Sequence, residues 1–384
     1  MRGALLAYAL GAMRRRAGRN LAIVLGLAVV VLAFATVLFT SEGLRAMSQR
    51  YAADAPSLTV ERLVGGRASL VDVADVARVE SIASVRSVTP RVWGYLYLAA
   101  LEANVTIVSS RDTSPLGVDA LGDGDAIFGA DVAHSLGLRA GDRVAVSAAA
   151  SAPDEVPMPR FLRVRALLPR ESALVGGDLV IVNETSAREL LGVPADRATD
   201  LAVDVFPPEE SSVVAGAIVD ALGGGARVID RESLGRSFEL TFDARAGLLA
   251  ATLLPALLAF LLLAWERLTG LSDEERREIG VLKAIGWTTS DVLWARLWEA
   301  GLVALAGSLL GLALAYVHAF VLGAPLLAPA LFGWSNVRPA LVITPSSDPI
   351  GLLMLLAAIV VPFAGISIVP AWRAANVDPD RLLR

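Results

Sequence analysis

The sequence predicts an α-helical bundle of four transmembrane helices, with a large extracytoplasmic α/β domain inserted between the first and the second. Three observations predict it. The chain of 384 residues is 55% apolar, too rich in hydrocarbon for a water-exposed fold of that size. Four stretches without charge, residues 20–41, 246–265, 300–337 and 349–372, each reach the roughly 20 residues that a helix needs to cross about 30 Å of hydrocarbon. Between the first two of them, strand-like alternation, helical periodicity and glycine-marked turns succeed one another, which is the texture of a mixed fold.

Residues 1–20 read as a cytoplasmic amphipathic segment, with Arg2, Arg14, Arg15, Arg16 and Arg19 ahead of a first span at 21–41. Basic residues gather again at 266–298 (Arg267, Arg276, Arg277, Lys283, Arg296) and after the fourth span (Arg373, Arg381, Arg384), whereas the connection between spans three and four holds only Arg338. By the positive-inside rule, both termini and the 266–298 insert face the cytoplasm of a multi-pass inner-membrane protein. Ala33-Phe34-Ala35 resembles a signal-peptidase site, but the apolar run continues to Thr40, which favours a retained anchor.

Residues 42–245 then form the extracytoplasmic, periplasmic domain. Residues 71–82 have a helical rhythm, while 85–90 and 92–98 alternate as strands. Residues 126–146 read as strand, short helix, turn and strand, with Gly137 and Gly141 in the turns. Further strands are expected at 161–168, 178–182 and 201–206, and further helices at 186–191 and 211–222, the last stopped by three glycines from Gly223. Residues 148–159 read as an exposed loop. Residues 41–245 carry 29 acidic against 20 basic side chains, so nothing there suggests binding to nucleic acid.

The second span is expected at 246–265, followed by a cytoplasmic loop, 266–298. Within that loop residues 272–286 read as an amphipathic helix: Ser272 with Glu275 fits a capping box, Ile279, Leu282 and Ile285 recur at helical spacing, and Gly286 can close the helix. The third span follows at 299–322, ended by Gly323, Pro325 and Pro329. A short extracytoplasmic loop, 323–348, holds an apolar segment from Leu326 to Trp334. The fourth span at 349–370 and a cytoplasmic tail, 371–384, complete the chain. Gly307 and Gly311, with Ser308 between them, make a G-x-x-x-G face that allows close helix packing within the chain or between two copies of it.

The chemistry that the sequence excludes is as informative. Cysteine is absent and there are two histidines, His134 and His318, so thiolate and histidine metal sites are not expected. A phosphate-binding loop needs a lysine followed by serine or threonine. The single lysine, Lys283, is followed by Ala284, so ATP chemistry, if it drives this chain, belongs to another polypeptide.

Residues 275–286, from Glu275-Arg276-Arg277-Glu278-Ile279-Gly280 through Val281-Leu282-Lys283-Ala284-Ile285-Gly286, resemble the cytoplasmic signature of the MacB/FtsX-like permeases of ABC transporters. Asp291-Val292-Leu293, Trp298-Glu299-Ala300 and Gly307-Ser308-Leu309-Leu310-Gly311 are similar to that family's third span. Pro370-Ala371-Trp372-Arg373-Ala374-Ala375 with Asp378-Pro379 and Leu383-Arg384 resemble its C-terminus, and residues 136–144 a turn of its external domain. The resemblance implies a permease without catalytic residues or cofactors of its own, working as two copies or with a paralogue, with ATP and magnesium bound by two copies of a separate ABC ATPase. It implies that Glu275, Arg276, Arg277, Glu278, Ile279, Gly280, Leu282, Lys283, Ile285 and Gly286 couple the chain to that ATPase. Export or extraction of a lipophilic, lipoprotein, drug-like or peptide substrate is then expected, with a periplasmic adaptor or a lipoprotein carrier as partner and membrane lipids around it. The alternative is an FtsX-like regulator that activates an extracytoplasmic cell-wall hydrolase without transport.

Overall fold

The computed structural model describes residues 8, 11–112, 121–147, 159–169, 176–269, 273–327, 345 and 348–376. The chain divides into two units, residues 1–44, 242–327 and 344–384 in one, residues 45–241 and 328–343 in the other. The first apolar stretch lies in α1 (Ala17–Asp54), which continues well past the expected span. Residues 42–54 contain no proline and only one glycine, so nothing in them stops the helix.

The inserted unit has two sheets. The first is antiparallel, in the order β13-β1-β12-β4, with β2 paired to β1. It combines β1 (Leu58–Val64), β2 (Arg67–Ser69) and β4 (Val85–Arg91) from the start of the unit with β12 (Asp200–Val205) and β13 (Ala226–Asp230) from its end. Leu58, Val60, Leu201 and Val203 form its buried face. Val79 of α2 (Asp75–Glu80) and Val214 and Ile218 of α5 (Ser211–Leu222) join the same core.

The second sheet is spliced between β4 and β12. Its order is β5-β6-β10-β7-β9-β8, from β5 (Trp93–Leu98), β6 (Ala103–Ser109), β7 (Asp125–Phe128), β8 (Arg143–Ser147), β9 (Pro159–Leu167) and β10 (Leu179–Val182). The β10–β6 and β7–β9 pairs are parallel and the others antiparallel. Val132 of α3 (Ala130–Leu136) and Leu190 of α4 (Glu184–Leu191) pack on Ile107, Phe128, Leu162 and Val180. Both helices end at glycines in the left-handed conformation, Gly137 (φ 65°) and Gly192 (φ 66°), the conformation that glycine adopts without a Cβ penalty. A small pair, β3 (Val71–Asp72) with β11 (Arg197–Ala198), completes the unit.

The two sheets meet where Val92 alone separates β4 from β5. There the Arg91 guanidinium grips Asp200, with Nε to Oδ1 at 2.6 Å and Nη2 to Oδ2 at 2.8 Å. Trp93 Nε1 donates to the same carboxylate at 2.8 Å.

From the end of the inserted unit onward come α6 (Arg231–Thr269), which starts within it, α7 (Asp273–Ala284), α8 (Thr289–Tyr316) and α9 (Pro349–Ala375). With α1 they provide four segments long and apolar enough to cross a membrane: Ala17–Met47, Ala246–Glu266, Thr289–Val321 and Pro349–Pro370. The third begins well before the charge-free run at residue 300. Thr288 and Asp291 form a reciprocal capping box that starts α8 at Thr289, and Arg296 and Glu299 pair with each other at 3.2 Å, so charge does not interrupt the helix. At the other end it passes into a π-helical turn, Val317–Val321, and stops at Gly323 (φ 70°). Leu27, Val31, Val303, Ala304, Ile359 and Phe363 lie in the buried interior of the bundle. Phe260 and Phe363 stack at 6.2 Å.

The expected apolar segment from Leu326 to Trp334 and the C-terminal motif beyond residue 376 fall mostly outside the described residues.

Candidate functional site

The charged insert forms α7, as its periodicity predicts, with Ser272 of the expected capping box outside the described residues. Its C-terminal end is closed as the sequence suggests. Gly286 adopts a φ of 101°, its N–H donates to Lys283 O at 3.0 Å, and Trp287 N–H reaches back to Leu282 O at 3.0 Å. Those two bonds satisfy carbonyls that the last turn leaves free.

One face of α7 is anchored within the membrane unit. Glu275 is 4% exposed and takes Arg16 Nε at 2.8 Å and Arg19 Nη2 at 2.6 Å. Glu278 takes Arg16 Nη2 at 2.6 Å, Arg15 Nη2 at 2.5 Å and the Tyr8 hydroxyl at 2.7 Å. Arg16 Nη1 extends to Glu299 of α8 at 3.0 Å, and Asn20 donates to the same carboxylate at 3.3 Å. Arg296 reaches Glu299 at 3.2 Å and lies 3.9 Å from Glu275. Ile279, on the next turn of the same face, is buried against Val292 and Trp287.

Four arginines thus face three carboxylates where three helices meet. Burial pushes the Glu275 carboxyl up, but the Arg19 hydrogen bond and the charges of Arg16, Arg19 and Arg296 outweigh it and hold the group below the usual carboxylate range. Glu278 shows the same balance: burial raises it, and Tyr8, Arg16 and Arg15 bring it lower than an ordinary glutamate. Burial disfavours the charge on Arg16, and Glu299, Glu275 and Glu278 more than restore it. The Tyr8 phenol is pushed well up, first by burial and then by its bond to Glu278. Glu275 and Glu278 are therefore ionised at neutral pH and fixed in place.

The opposite face is open. Glu274, Arg277 and Ala284 are exposed, Val281 is 53% and Ile285 69% exposed, and Leu282 and Lys283 are half-buried. Positions 274, 277, 281, 284 and 285 lie along one side of a 3.6-residue helix. Gly280 is buried.

The residues that the sequence assigns to coupling therefore divide. Glu275, Glu278 and Ile279 serve as internal anchors, because the arginines of the N-terminal segment and the start of α8 are already against them. Arg277 and Ile285 are outward, together with Val281, which the sequence reading leaves out of its candidate set. Arg276 lies on α7, and Gly286 closes it.

In the sequence the partners themselves carry no local mark of this role. Arg15, Arg16 and Arg19 serve there only as topology markers, and Glu299 only as part of a motif. The signal that could have found them is a glutamate beside an apolar run, since a carboxylate at the edge of hydrocarbon requires a cation nearby.

Gly307 and Gly311 of α8 sit against α1. A Cβ on Gly307 would lie 3.0 Å from the Val24 carbonyl oxygen and from Leu27 Cβ; one on Gly311 would lie 2.7 Å from the Ala28 carbonyl oxygen and from Val31 Cβ. Ser308 is buried beside them. This glycine face is thus filled by the chain's own first span. His134 lies on α3 and His318 in the π-helical turn after α8. Among the described residues no group of histidine and carboxylate side chains could hold a metal ion.

Comparison with known proteins bears on the same region. Residues 249–379 match the family model described as FtsX-like permease C-terminal, a segment running from α6 through α7 and α8 to the end of α9. A macrolide export ATP-binding/permease protein, MacB, from Photorhabdus laumondii subsp. laumondii is 39% identical over 110 residues, which is 29% of this chain and 15% of that relative's length. The periplasmic region of MacB from Actinobacillus actinomycetemcomitans superposes with a TM-score of 0.33 at 8% identity, over 47% of this chain and 92% of that one. The extracellular domain of the noncanonic ABC-type transporter YknZ from Gram-positive bacteria superposes with a TM-score of 0.31 at 11% identity, over 45% and 99%.

Proposed function

We propose that this chain, a MacB/FtsX-like ABC permease by the match of its residues 249–379, is driven by a separate ATPase that docks on the outer face of α7. The observation that carries the proposal is the division of that helix. One side is bonded into the bundle through Glu275, Glu278 and Ile279, and the other presents Val281 and Ile285 flanked by Glu274 and Arg277. A loop that merely joined two spans would need neither the buried anchors nor the exposed apolar pair. An anchored helix with an apolar outer stripe can seat in a groove and pass displacement to what it is bonded to.

In this reading ATP and magnesium bind the ATPase, two ATPase copies pair with two permeases, and α7 lies on the cytoplasmic side. The inserted domain is then extracytoplasmic and moves in response, serving export or extraction of a lipophilic, lipoprotein, drug-like or peptide substrate. Such coupling requires that the docked partner bind α7 differently in its two nucleotide states. The name of the macrolide export relative, which joins ATP binding to a permease, supports this assignment.

The test is the double variant Val281→Asp/Ile285→Asp in the full chain, co-expressed with its ATPase. Membrane insertion should persist while ATPase copurification falls by at least about tenfold, as expected when two central apolar anchors of an interface are replaced by charge. Copurification at the parent level would overturn the assignment of this face. Ile279→Asp should behave differently, lowering the stability of the permease itself.

A further inference from the structure

Arg16 occupies the one-residue turn between the N-terminal helical residues 11–15 and the start of α1. Its backbone carries the helical ladder across that turn: its N–H donates to Ala12 O at 3.1 Å and its carbonyl accepts from Asn20 N–H at 3.0 Å. Its side chain is 11% exposed, and each of its three guanidinium nitrogens goes to a different carboxylate. Nε takes Glu275 at 2.8 Å, Nη2 takes Glu278 at 2.6 Å and Nη1 takes Glu299 at 3.0 Å. Two of those carboxylates belong to α7 and the third to α8. A single side chain at the foot of the first span therefore holds the amphipathic helix and the foot of the third span together.

We infer that Arg16 is a positioning residue for the driven movement: displacement of α7 reaches the first span through the three-armed guanidinium. This rests on the reading of α7 as the helix that the ATPase moves. Covalent connection alone gives α7 a direct route only to its sequence neighbours, α6 and α8. The first span is remote in sequence and is joined to α7 by side chains. Arg19 and Arg15 strengthen the join, each bonding one of the α7 carboxylates. Arg16 differs in linking both of them to Glu299. A planar fork with donors fixed in three directions can transmit a push without rotating away from any one partner. A lysine ammonium of the same charge is a flexible point donor that cannot reproduce that geometry.

The chain has no cysteine, so one reporter thiol can be introduced without background. Ser41→Cys places a near-isosteric thiol on α1, toward the far end of the first span from Arg16. In nanodiscs containing the full chain and its ATPase, thiol-modification rates would be compared in the ADP state and in the state trapped with ADP and vanadate. The parent carrying only this reporter should show a nucleotide-dependent change in rate. Arg16→Lys should reduce that change by about tenfold, with ATPase copurification and basal ATP hydrolysis within about twofold of the parent. Retained docking and hydrolysis beside a lost response at the reporter thiol is a combination that simple destabilisation does not produce.

An unchanged response in Arg16→Lys overturns the inference alone. A parent that does not hold the ATPase overturns the docking reading and this inference with it, whereas a parent that holds the ATPase but whose reporter thiol ignores nucleotide overturns this inference alone. If Arg16→Lys does not insert, Glu278→Gln decides: it keeps the shape of the side chain and weakens one arm, so the response should fall part-way, and a full response refutes the route.

Discussion

Replacing three glycines of α8 one at a time tests how closely the third span approaches the first. A Cβ on Gly301 would meet nothing within 4 Å. At Gly307 the new methyl would lie 3.0 Å from its nearest neighbours, and at Gly311 it would lie 2.7 Å from both the Ala28 carbonyl oxygen and Val31 Cβ, with Val31 Cγ1 at 2.9 Å. Carbon atoms settle at about 3.5–4.0 Å. Gly307→Ala thus requires a separation of roughly 0.5 Å and Gly311→Ala one approaching 1 Å. The obstructing atoms at Gly311 are a helix carbonyl and a β-branched stem, neither of which can rotate aside. Overpacking of this kind costs about 1–3 kcal/mol, so the series should run from near zero at Gly301 through about 1 kcal/mol at Gly307 to about 2–3 kcal/mol at Gly311. The intrinsic preference of helices for alanine over glycine is similar at all three sites and cancels in the ranking. Unfolding by SDS in mixed micelles, followed by tryptophan fluorescence, would measure it. Gly311→Ala as stable as Gly301→Ala would refute the close approach of the two spans.

Two further predictions concern protonation. Glu275 and Glu278 titrate below the ordinary glutamate value of 4.5 in the folded chain, so their contribution to stability is complete above that pH and is lost as pH falls through the folded values. Proteolytic release of α7 should therefore be slow at neutral pH and accelerate below about pH 4.5, and Glu278→Gln should blunt the transition; a rate independent of pH would count against the cluster. Asp112 behaves oppositely: burial chiefly raises it from 3.8 to about 6, against the pull of the Val92 N–H and the Arg91 charge, while Asp200 and Glu184 push it further up. The folded state then binds the proton more tightly than the unfolded one, and stability falls as pH rises from about 4 to about 6. At about 1.4 kcal/mol per pKa unit the upper bound is about 3 kcal/mol, and partial solvent access reduces it to roughly 1–2 kcal/mol. Asp112→Asn should slow hydrogen exchange of the β4–β5 amides at pH 7.5 and flatten its dependence between pH 4 and 6; no change would show that the charged carboxylate costs nothing there.

Much of this fold is legible because its signals are local. Alternation places β4 and β5 within a residue of their observed bounds, and Gly137, Gly192 and Gly223 stand where α3, α4 and α5 end. What the sequence does not disclose depends on partners far along the chain. Neither β1 nor β13 has a pattern that distinguishes it from its surroundings, yet they pair from Leu58↔Asp230 to Arg62↔Ala226 and so close the first sheet across the whole inserted unit. The start of α8 at Thr289 is also missed, because a hydropathy window stops at charge whereas Arg296 and Glu299 are neutralised by each other and by Arg16.

The site shows the same limit more sharply. Helical periodicity finds α7 and its apolar stripe, but periodicity alone cannot say which neighbour an apolar stripe faces. Ile279, Leu282 and Ile285 form one stripe on paper; in the folded chain Ile279 is 2% exposed and Ile285 is 69% exposed, because the three positions fan across about a third of a turn and the stripe runs off the buried face. Ion pairs decide which side turns inward. Glu275 and Glu278 lie three apart and so share a face, and Arg16 and Glu299 approach from two other helices to meet it. Exchanging which stripe faces the bundle would take Glu275 and Glu278 away from Arg15, Arg16 and Arg19, leaving Glu299 as the one carboxylate of the cluster still in place. Each buried charge stripped of its partner costs several kcal/mol, more than the one or two apolar side chains on the outer stripe could return by being buried instead. The charged half of the helix therefore fixes its orientation, and the exposure of Val281 and Ile285 follows from it.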